Sequence, residues 1–293
     1  MKRSFLMLLT IIFATLIILT CTACVSKKQS GELKTETYQV TDVTSFKVEN
    51  VSLRKDGSGF GPTVEFICDG GEPSVTVTMQ ESLFRYVKLK QNDKAIVFSG
   101  NKLHRYVTDY DVTLIVKNCV FTDIRLSGAS KASADSKCIG ENFSLDISGA
   151  SSFQSGILAL KSFDLDASGA SNAVFESIVC PDIDLDLSGA SMFSATEISS
   201  SDIDADESGA SRIAIAGGAA TKVSVDCSGA SMFDAKNLIT SETKIDISGA
   251  STVYVTANSS LTGRASGSSN VYCKGDAIAS VSTSGGSQAQ KIS

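Results

Sequence analysis

The sequence predicts an all-β fold, a single-stranded right-handed parallel β-helix with about 20 residues in each coil. The main observation is a tetrapeptide, SGAS, which occurs seven times at spacings of 20 or 21 residues and begins at Ser127, Ser148, Ser168, Ser188, Ser208, Ser228 and Ser248. Two altered copies, SGSS and SGGS, continue the repeat after residue 265. Apolar and polar residues alternate before each copy, which is typical of a strand with one buried face.

The first 23 residues have the layout of a secretory signal peptide, because Lys2 and Arg3 precede an apolar run. The following LTCTACVSKK resembles a bacterial lipobox, in which a cysteine after a small residue is acylated. Cys24 is the predicted lipidation site and Cys21 is the alternative. An ordinary cleaved signal or an uncleaved anchor also stays open. We expect an exported cell-envelope protein, an outer-membrane lipoprotein facing the periplasm or the surface, with residues 24–37 as a polar tether.

The charge balance argues against nucleic acid as a partner. Loss of Lys2 and Arg3 with the signal peptide leaves 24 basic and 32 acidic residues and moves the net charge from −6 to −8. A protein this acidic is a poor ligand for nucleic acid or for bare anionic lipid. Contact with the membrane is therefore expected through the N-terminal acyl chains.

Six cysteines follow the two in the signal region. No two of them are closely spaced and there is no CxxC pair, so zinc is not expected. We expect mostly buried thiols, and a disulfide between any one pair stays open because the chain is exported. The six are Cys68, Cys119, Cys138, Cys180, Cys227 and Cys273.

Residues 38–118 carry strand patterns without the tetrapeptide, such as SFKVENVSL and DYDVTLIVKN, separated by turn clusters such as DGGEP. We predict irregular early coils and hairpins that cap the open end of the tube. The glycine-rich GSGFG at 57–61 is not followed by a helix pattern, so a phosphate-binding loop is not expected.

Residues 119–293 form the regular repeat. Positions five, three and one before the first Ser of each copy are apolar and predict the first inward-facing strand. Positions five and seven after it compensate in volume, as Phe153 does with Ser155 and Phe175 with Ala173, which close packing in a narrow tube requires. An apolar residue ten after it supplies a third inward side.

SGAS itself is predicted to be a corner. Glycine permits the sharp turn, alanine is expected to point inward, and the serine hydroxyls are expected to bond to backbone or to the serines of neighbouring coils. A nucleophilic serine would need a base, and the one histidine of the chain, His104, lies outside the repeat.

The chain resembles a bacterial family called putative auto-transporter adhesin, head GIN domain. The resemblance rests on SFKVEN, KLKQNDKAIVFSG, DVTLIVKNCVFTDIRLSGAS and VYCKGDAIASVSTSGGS, and it covers about residues 40 to 290. It implies a single-stranded right-handed β-helix without an established enzymatic activity. This chain departs from the usual pattern in its Asp-rich strands, its many cysteines and its GSGFGP insertion. The family supplies no binding residues to carry over.

The most informative polar feature is an acidic stripe. Stacked carboxylates about 4.8 Å apart repel each other by ~1 kcal/mol in water, so the stripe is expected to be exposed or neutralised. A solvated face and a site for Ca²⁺ or another hard cation both stay open, and no other cofactor is expected. The stripe comprises Asp146, Asp166, Asp186, Asp206, Asp226 and Asp246 in one column, flanked by Arg125 and Arg264, and Asp164, Asp184 and Asp204 in a second.

One residue breaks the inward columns. Glu207 lies one position before a motif, where the other SGAS copies have an apolar residue. Two explanations stay open: a local bend that lets Glu207 reach water or Arg212, and a buried carboxyl group with a raised pKa and a functional role.

These observations predict a cell-envelope binding or structural module without catalysis, acting in adhesion or in contact with a glycan or protein ligand. The alternative is a Ca²⁺-dependent polysaccharide-degrading β-helix enzyme, which would need Arg or Lys beside clustered carboxylates. The interior of the longer Asp column contains neither. A second alternative is a periplasmic scaffold without a carbohydrate ligand.

Overall fold

A computed structural model describes residues 32–49, 51, 61–100 and 112–292 of the 293-residue chain. The signal segment with Cys21 and Cys24, His104 and most of GSGFG lie outside the described residues. The structure is nearly all β, with 68% strand and 2% helix, and forms a parallel β-solenoid of about 9 turns with about 20 residues per turn. This confirms the predicted fold class. In the part of the chain described, no helix is long and apolar enough to cross a membrane.

The N-terminal part alternates short strands with two single-turn 3₁₀ helices at Glu81–Leu83 and Ser136–Cys138. Its strands are β1 (Leu33–Gln39), β2 (Ser45–Glu49), β3 (Thr63–Ile67), β4 (Ser74–Gln80), β5 (Val87–Asn92), β6 (Ala95–Gly100), β7 (Thr113–Lys117), β8 (Phe121–Leu126) and β9 (Lys131–Ala134).

The regular part follows with coils whose strands pair in parallel with the coil before and the coil after. Its strands are β10 (Ile139–Ile147), β11 (Ser152–Ala159), β12 (Ser162–Ala167), β13 (Asn172–Val179), β14 (Asp182–Leu187), β15 (Met192–Glu207), β16 (Arg212–Ile215), β17 (Gly218–Cys227), β18 (Met232–Ile247), β19 (Thr252–Ala265), β20 (Asn270–Lys274), β21 (Ile278–Thr283) and β22 (Gln288–Lys291).

The coils of the N-terminal part do not stack in chain order. Strand β2 pairs in parallel with both β6 and β8, and β3 pairs in parallel with both β7 and β9. The inserted coil, which contains β2 and β3, therefore lies between the coil of β6 and β7 and the coil of β8 and β9. Strands β1, β4 and β5 pair antiparallel at this end of the tube. The predicted domain boundary at 118/119 stays a prediction.

A disulfide joins this inserted coil to the next coil of the stack. Cys68 follows β3, Cys138 follows β9, and their Cα atoms lie 5.9 Å apart. The other four of the six cysteines are free and buried, which agrees with the expectation of mostly buried thiols.

The interior of the regular coils is filled by side chains. Phe175 contacts the rings of Phe153, Phe163 and Phe193 at centroid distances of 5.9, 5.3 and 5.8 Å. Its partner in the compensating pair, Ala173, is fully buried. The volume compensation inferred from the sequence therefore describes one packed column that runs along the tube.

The SGAS corners are built partly as predicted. Each glycine of the seven copies has a positive φ, between 73° and 84°, and the alanine N–H donates to the glycine carbonyl of the preceding coil at 2.7 Å from the second copy on. The expectation that alanine points inward is wrong. The last serine of the motif is the buried residue, and its hydroxyl donates to the backbone; for example, Ser171 Oγ lies 2.6 Å from Ser168 O and 3.1 Å from Ile147 O.

Candidate functional site

The acidic stripe is a continuous file of side chains on one outer face of the tube. Strand pairing places Asp146, Asp166, Asp186, Asp206, Asp226 and Asp246 directly beside one another, with Arg125 before the first and Arg264 after the last. The same pairing aligns Asp164, Asp184 and Asp204 in a parallel column. The two columns share a face because their residues alternate with the inward-facing ones.

Partial burial and the neighbouring carboxylates raise the pKa values of several aspartates in the stripe. The pKa values of Asp166, Asp184, Asp206 and Asp226 are raised, first by partial burial and then by the neighbouring carboxylates. At the far end of the column Arg264 forms an ion pair with Asp246. The middle of the stripe is thus the part where negative charge is least compensated.

The stripe does not assemble a compact metal site. Among the described residues, no group of three or more His, Cys, Asp or Glu side chains is arranged to hold a metal ion. The aspartates lie in files, one or two from each coil, instead of converging on one point. Cation binding at the stripe stays a prediction.

Basic side chains approach the stripe toward its C-terminal half, which sequence reasoning missed. Lys222 lies beside Asp202 in the strand pairing, and Lys244 continues the column of Asp164, Asp184 and Asp204 after Ser224. Both Lys244 and Arg264 act to lower the pKa of Asp226. An alignment of the positions four and six residues before each motif contains this signal, because lysine stands at one of the two positions in two successive coils, as Lys222 and as Lys244.

A groove runs along the outer face formed by strands β3, β9, β11, β13, β15, β16 and β18, which pair with one another in that order. Three contiguous cavities of about 540, 350 and 300 Å³ share lining residues, and Val174 lines all three. The groove extends from Glu65 in β3 to Asp234 in β18, across seven paired strands, or about 29 Å at one coil spacing per step. Its lining contains both polar and apolar groups, among them the acidic residues Glu65, Asp135 and Glu176.

The groove was not predicted from the sequence. It is lined by residues six and eight positions after the first Ser of each copy, where both side chains are small in two successive coils, at Ser194 and Thr196 and at Ala214 and Ala216. Those positions face outward, on either side of the inward position seven. Short outward side chains signal an open surface only once the coils are known to stack.

Glu207 is inside the tube. Its side chain is 2% exposed, so the bend that would release it to water is not present. Arg212 pairs with Asp234 at 3.6 Å on the outer surface instead of with Glu207. Burial raises the pKa of Glu207 to about 8, although Cys227, Ser211 and nearby backbone groups act to lower it.

Comparisons with known proteins agree with the architecture. The family described as putative auto-transporter adhesin, head GIN domain, matches residues 58–216 and 164–277. No curated protein is similar enough to match the chain.

Several solved structures share the fold. A putative adhesin from Parabacteroides merdae has a TM-score of 0.61 at 15% identity, and one from Parabacteroides distasonis has 0.58 at 17%. A putative lipid binding protein from Parabacteroides distasonis has 0.58 at 15% identity. Each comparison covers 90% of this chain and 98% of the other. At these identities the likeness establishes the fold alone.

Proposed function

The chain belongs to the family described as putative auto-transporter adhesin, head GIN domain, and from this premise we propose that it is a cell-envelope binding module that contacts an extended ligand on its outer surface. The proposed ligand class is a glycan chain or an extended protein segment. The module works by surface contact and not by catalysis. Family membership supports an adhesive role, and the geometry suggests where contact occurs.

The observation that carries this proposal is the continuous groove across seven coils. The interior of the regular coils is closed by packed phenylalanines and aliphatic side chains, so a ligand meets the outer faces. A groove of about 29 Å with mixed polar and apolar lining fits an extended chain better than a compact metabolite. The neighbouring acidic face would repel anionic polymers.

The localisation proposed with it is an acylated envelope protein anchored through Cys24. Lys2, Arg3 and the apolar run support export, and LTCTACVSKK supports acylation. Labelling of expressing cells with a fatty-acid analogue should mark the wild type but not the Cys24→Ser variant. Label that persists in Cys24→Ser and disappears in Cys21→Ser would assign the site to the alternative cysteine. Protease shaving of intact cells would then separate a surface position from a periplasmic one.

Binding is tested on panels of immobilised glycans and extracellular proteins with a matched pair of variants. Val174 lines the centre of the groove and is 39% exposed, whereas Val179 lies on the same strand outside the groove and is 49% exposed. Val174→Arg should abolish binding to a captured ligand, and Val179→Arg should leave it unchanged. Equal effects of the two variants, or no ligand on any panel, would contradict the groove as the binding surface.

The same ligand serves to test the absence of catalysis. Incubation of a bound polysaccharide with the protein and Ca²⁺ should release no reducing ends and no unsaturated products. Product formation that is lost in Asp186→Asn would contradict a purely binding role and would favour the polysaccharide-degrading alternative.

A further inference from the structure

The interior of the tube contains one carboxyl group that its surroundings do not neutralise. In the column one residue before each SGAS motif, Glu207 lies between Leu187 of β14 and Cys227 of β17, all three of which are buried. Its Oε1 lies 3.7 Å from the Cys227 thiol, and its Oε2 is buried without a hydrogen-bond partner. An ionised carboxylate with a free oxygen in such a place is far less stable than the neutral acid.

The SGAS corner directly after Glu207 differs from the other corners in the hydrogen bond of its last serine. In the other motif copies up to Ser269, the last serine donates its hydroxyl to the carbonyl of the first serine, and these residues are Ser130, Ser151, Ser171, Ser191, Ser231, Ser251 and Ser269. Ser211 does not, and its hydroxyl lies 3.4 Å from that of Ser231 instead. Ser211 also acts to lower the pKa of the Glu207 carboxyl. The corner that follows Glu207 therefore lacks the backbone bond that the other corners have.

Among the residues that the structure describes, no cation faces Glu207. The groups packed against it are the Cys227 thiol, the Ser211 hydroxyl and the backbone near Ile213 and Met232. On the outer side of the same strands the nearest charged groups are carboxylates, and burial together with Glu207 raises the pKa of the Cys227 thiol. The strands packed against Glu207 carry further charged groups on their outer side, and Arg212 and Asp234 among them form an ion pair. These groups are Asp182, Asp184, Asp186, Glu197, Asp202, Asp204, Asp206, Arg212, Lys222, Asp226, Asp234, Lys236, Glu242, Lys244 and Asp246.

We propose that Glu207 is a neutral carboxylic acid in the native protein and that its ionisation loosens the coils from Leu187 to Ser231, so that this segment is a pH-sensitive joint in an otherwise uniform rod. The proton is lost to solvent when the joint opens, and it is regained when the joint closes at lower pH. This goes beyond the proposed binding function and does not depend on it.

The direction of the change in stability with pH follows from the pKa of Glu207 in the folded and in the unfolded protein. The native pKa of Glu207 is raised from 4.5 to about 8, so its contribution to stability is fully present below about pH 4.5. That contribution is lost as pH rises toward 8, by up to tenfold in the unfolding equilibrium constant per pH unit. The aspartates with raised pKa values act in the same direction at lower pH, so a comparison with a variant is needed.

The test uses Glu207→Gln, which keeps the shape but cannot ionise. The free energy of unfolding of the mature domain is measured by denaturant titration from pH 5 to 9. The wild type should lose stability relative to Glu207→Gln between pH 5 and 8. Above pH 8 the difference between the two proteins should stay constant. Asp206→Asn, one residue away on the outer face, should keep the wild-type slope between pH 6 and 8. Equal slopes for wild type and Glu207→Gln would overturn the proposal.

A second readout does not depend on global unfolding. Infrared difference spectra between pH 6 and 9 should show the loss of a protonated carboxyl stretch in the wild type that is absent in Glu207→Gln. Hydrogen exchange, corrected for its intrinsic pH dependence, should accelerate at pH 9 in peptides from 187–231 but not in peptides from 139–167. If Glu207→Gln does not fold, Glu207→Leu serves in its place. A wild type without the protonated band at pH 6 would equally refute the proposal.

Discussion

The two ends of the stack obtain the same parallel coils by different means. In the regular part, from residue 139 to residue 265, each coil pairs with the coil before it in the chain and turns at an SGAS corner. In the N-terminal part, a coil that comes early in the chain is enclosed by two later ones and is tied to one of them by the Cys68–Cys138 disulfide.

This difference separates two sources of stability. Coils that contact only sequence neighbours can form locally and one after another, as in other repeat proteins. The coil of β2 and β3 gains both its neighbours only after β6, β7, β8 and β9 have folded around it, which involves closing long loops. We therefore expect the regular coils to be sensitive to changes at their corners and the N-terminal part to be sensitive to its covalent link.

The largest expected effect is on the N-terminal part. Replacing Cys68 and Cys138 together by serine removes a crosslink over 70 residues and should lower the free energy of unfolding of this part by about 4 kcal/mol. Denaturant titration followed by hydrogen exchange would measure it. Reductant should destabilise the wild type by a similar amount and have no further effect on the double variant. A double variant as stable as the wild type would contradict the role given to the disulfide.

The next effect is on the regular coils. Gly189 has φ of 73°, and a Cβ added to it would lie 2.6 Å from Gly169 O of the preceding coil. Gly189→Ala should therefore destabilise the protein by roughly 3 kcal/mol through backbone strain and a backbone clash. Gly156→Ala is the control, because the nearest atom to its added Cβ is Glu176 Oε2 at 3.8 Å. Equal melting temperatures for the two variants would contradict the close backbone contact between the corners of successive coils.

A smaller effect distinguishes the two serines within one corner. Ser171 is buried and donates to two carbonyls, so Ser171→Ala should cost about 1 kcal/mol. Ser168 makes no side-chain hydrogen bond to the described residues, and Ser168→Ala should change stability by less than about 0.5 kcal/mol. The reverse order of the two melting temperatures would show that the wrong serine has been assigned to the interior.

The smallest effect concerns charge. Asp206→Asn should stabilise the protein by up to ~1 kcal/mol at low salt, because it removes repulsion from Asp204 and Asp226. The pKa of Asp206 is raised, so the gain should appear at neutral pH and vanish near pH 3. Asp123→Asn in the N-terminal part should instead destabilise, since Asp123 accepts bonds from Ser45 at 2.6 Å and Arg125 at 3.1 Å. The free energy of unfolding of both variants is measured at 20 mM and 500 mM salt. If both substitutions stabilise the protein, the distinction between the acidic stripe and the N-terminal part is contradicted.

Much of the regular part is predictable from sequence for a physical reason. A period of 20 residues makes identical positions neighbours, so the columns of Phe143 and Phe163 or of Asp166 and Asp186 follow directly from alignment on SGAS. The inward alanine was wrong because the position of a side chain at a turn depends on φ and ψ, which the repeat does not reveal. The exposed Ala170 and the buried Ser171 are adjacent in the chain.

The order in which the N-terminal coils stack could not be predicted from the sequence, because that part lacks the repeat that makes equivalent positions neighbours. The strand patterns in 38–118 were recognised, but nothing in SFKVENVSL indicates that its coil lies between two later ones. Pairing partners there are selected by tertiary packing, such as the edge-on contacts of Phe46 with Phe66 and Phe121. The groove depends in turn on that order, since Glu65 lines it only because β3 lies beside β9.

The central claim, that a disulfide-held and interlocked end precedes coils that depend only on their neighbours, is tested most directly by native-state hydrogen exchange with and without reductant. We predict that reduction accelerates exchange throughout 45–134, including 45–67 and 95–117 as one unit, and leaves 152–247 protected. Uniform acceleration along the whole chain, or loss of protection in 45–67 alone, would contradict the claim.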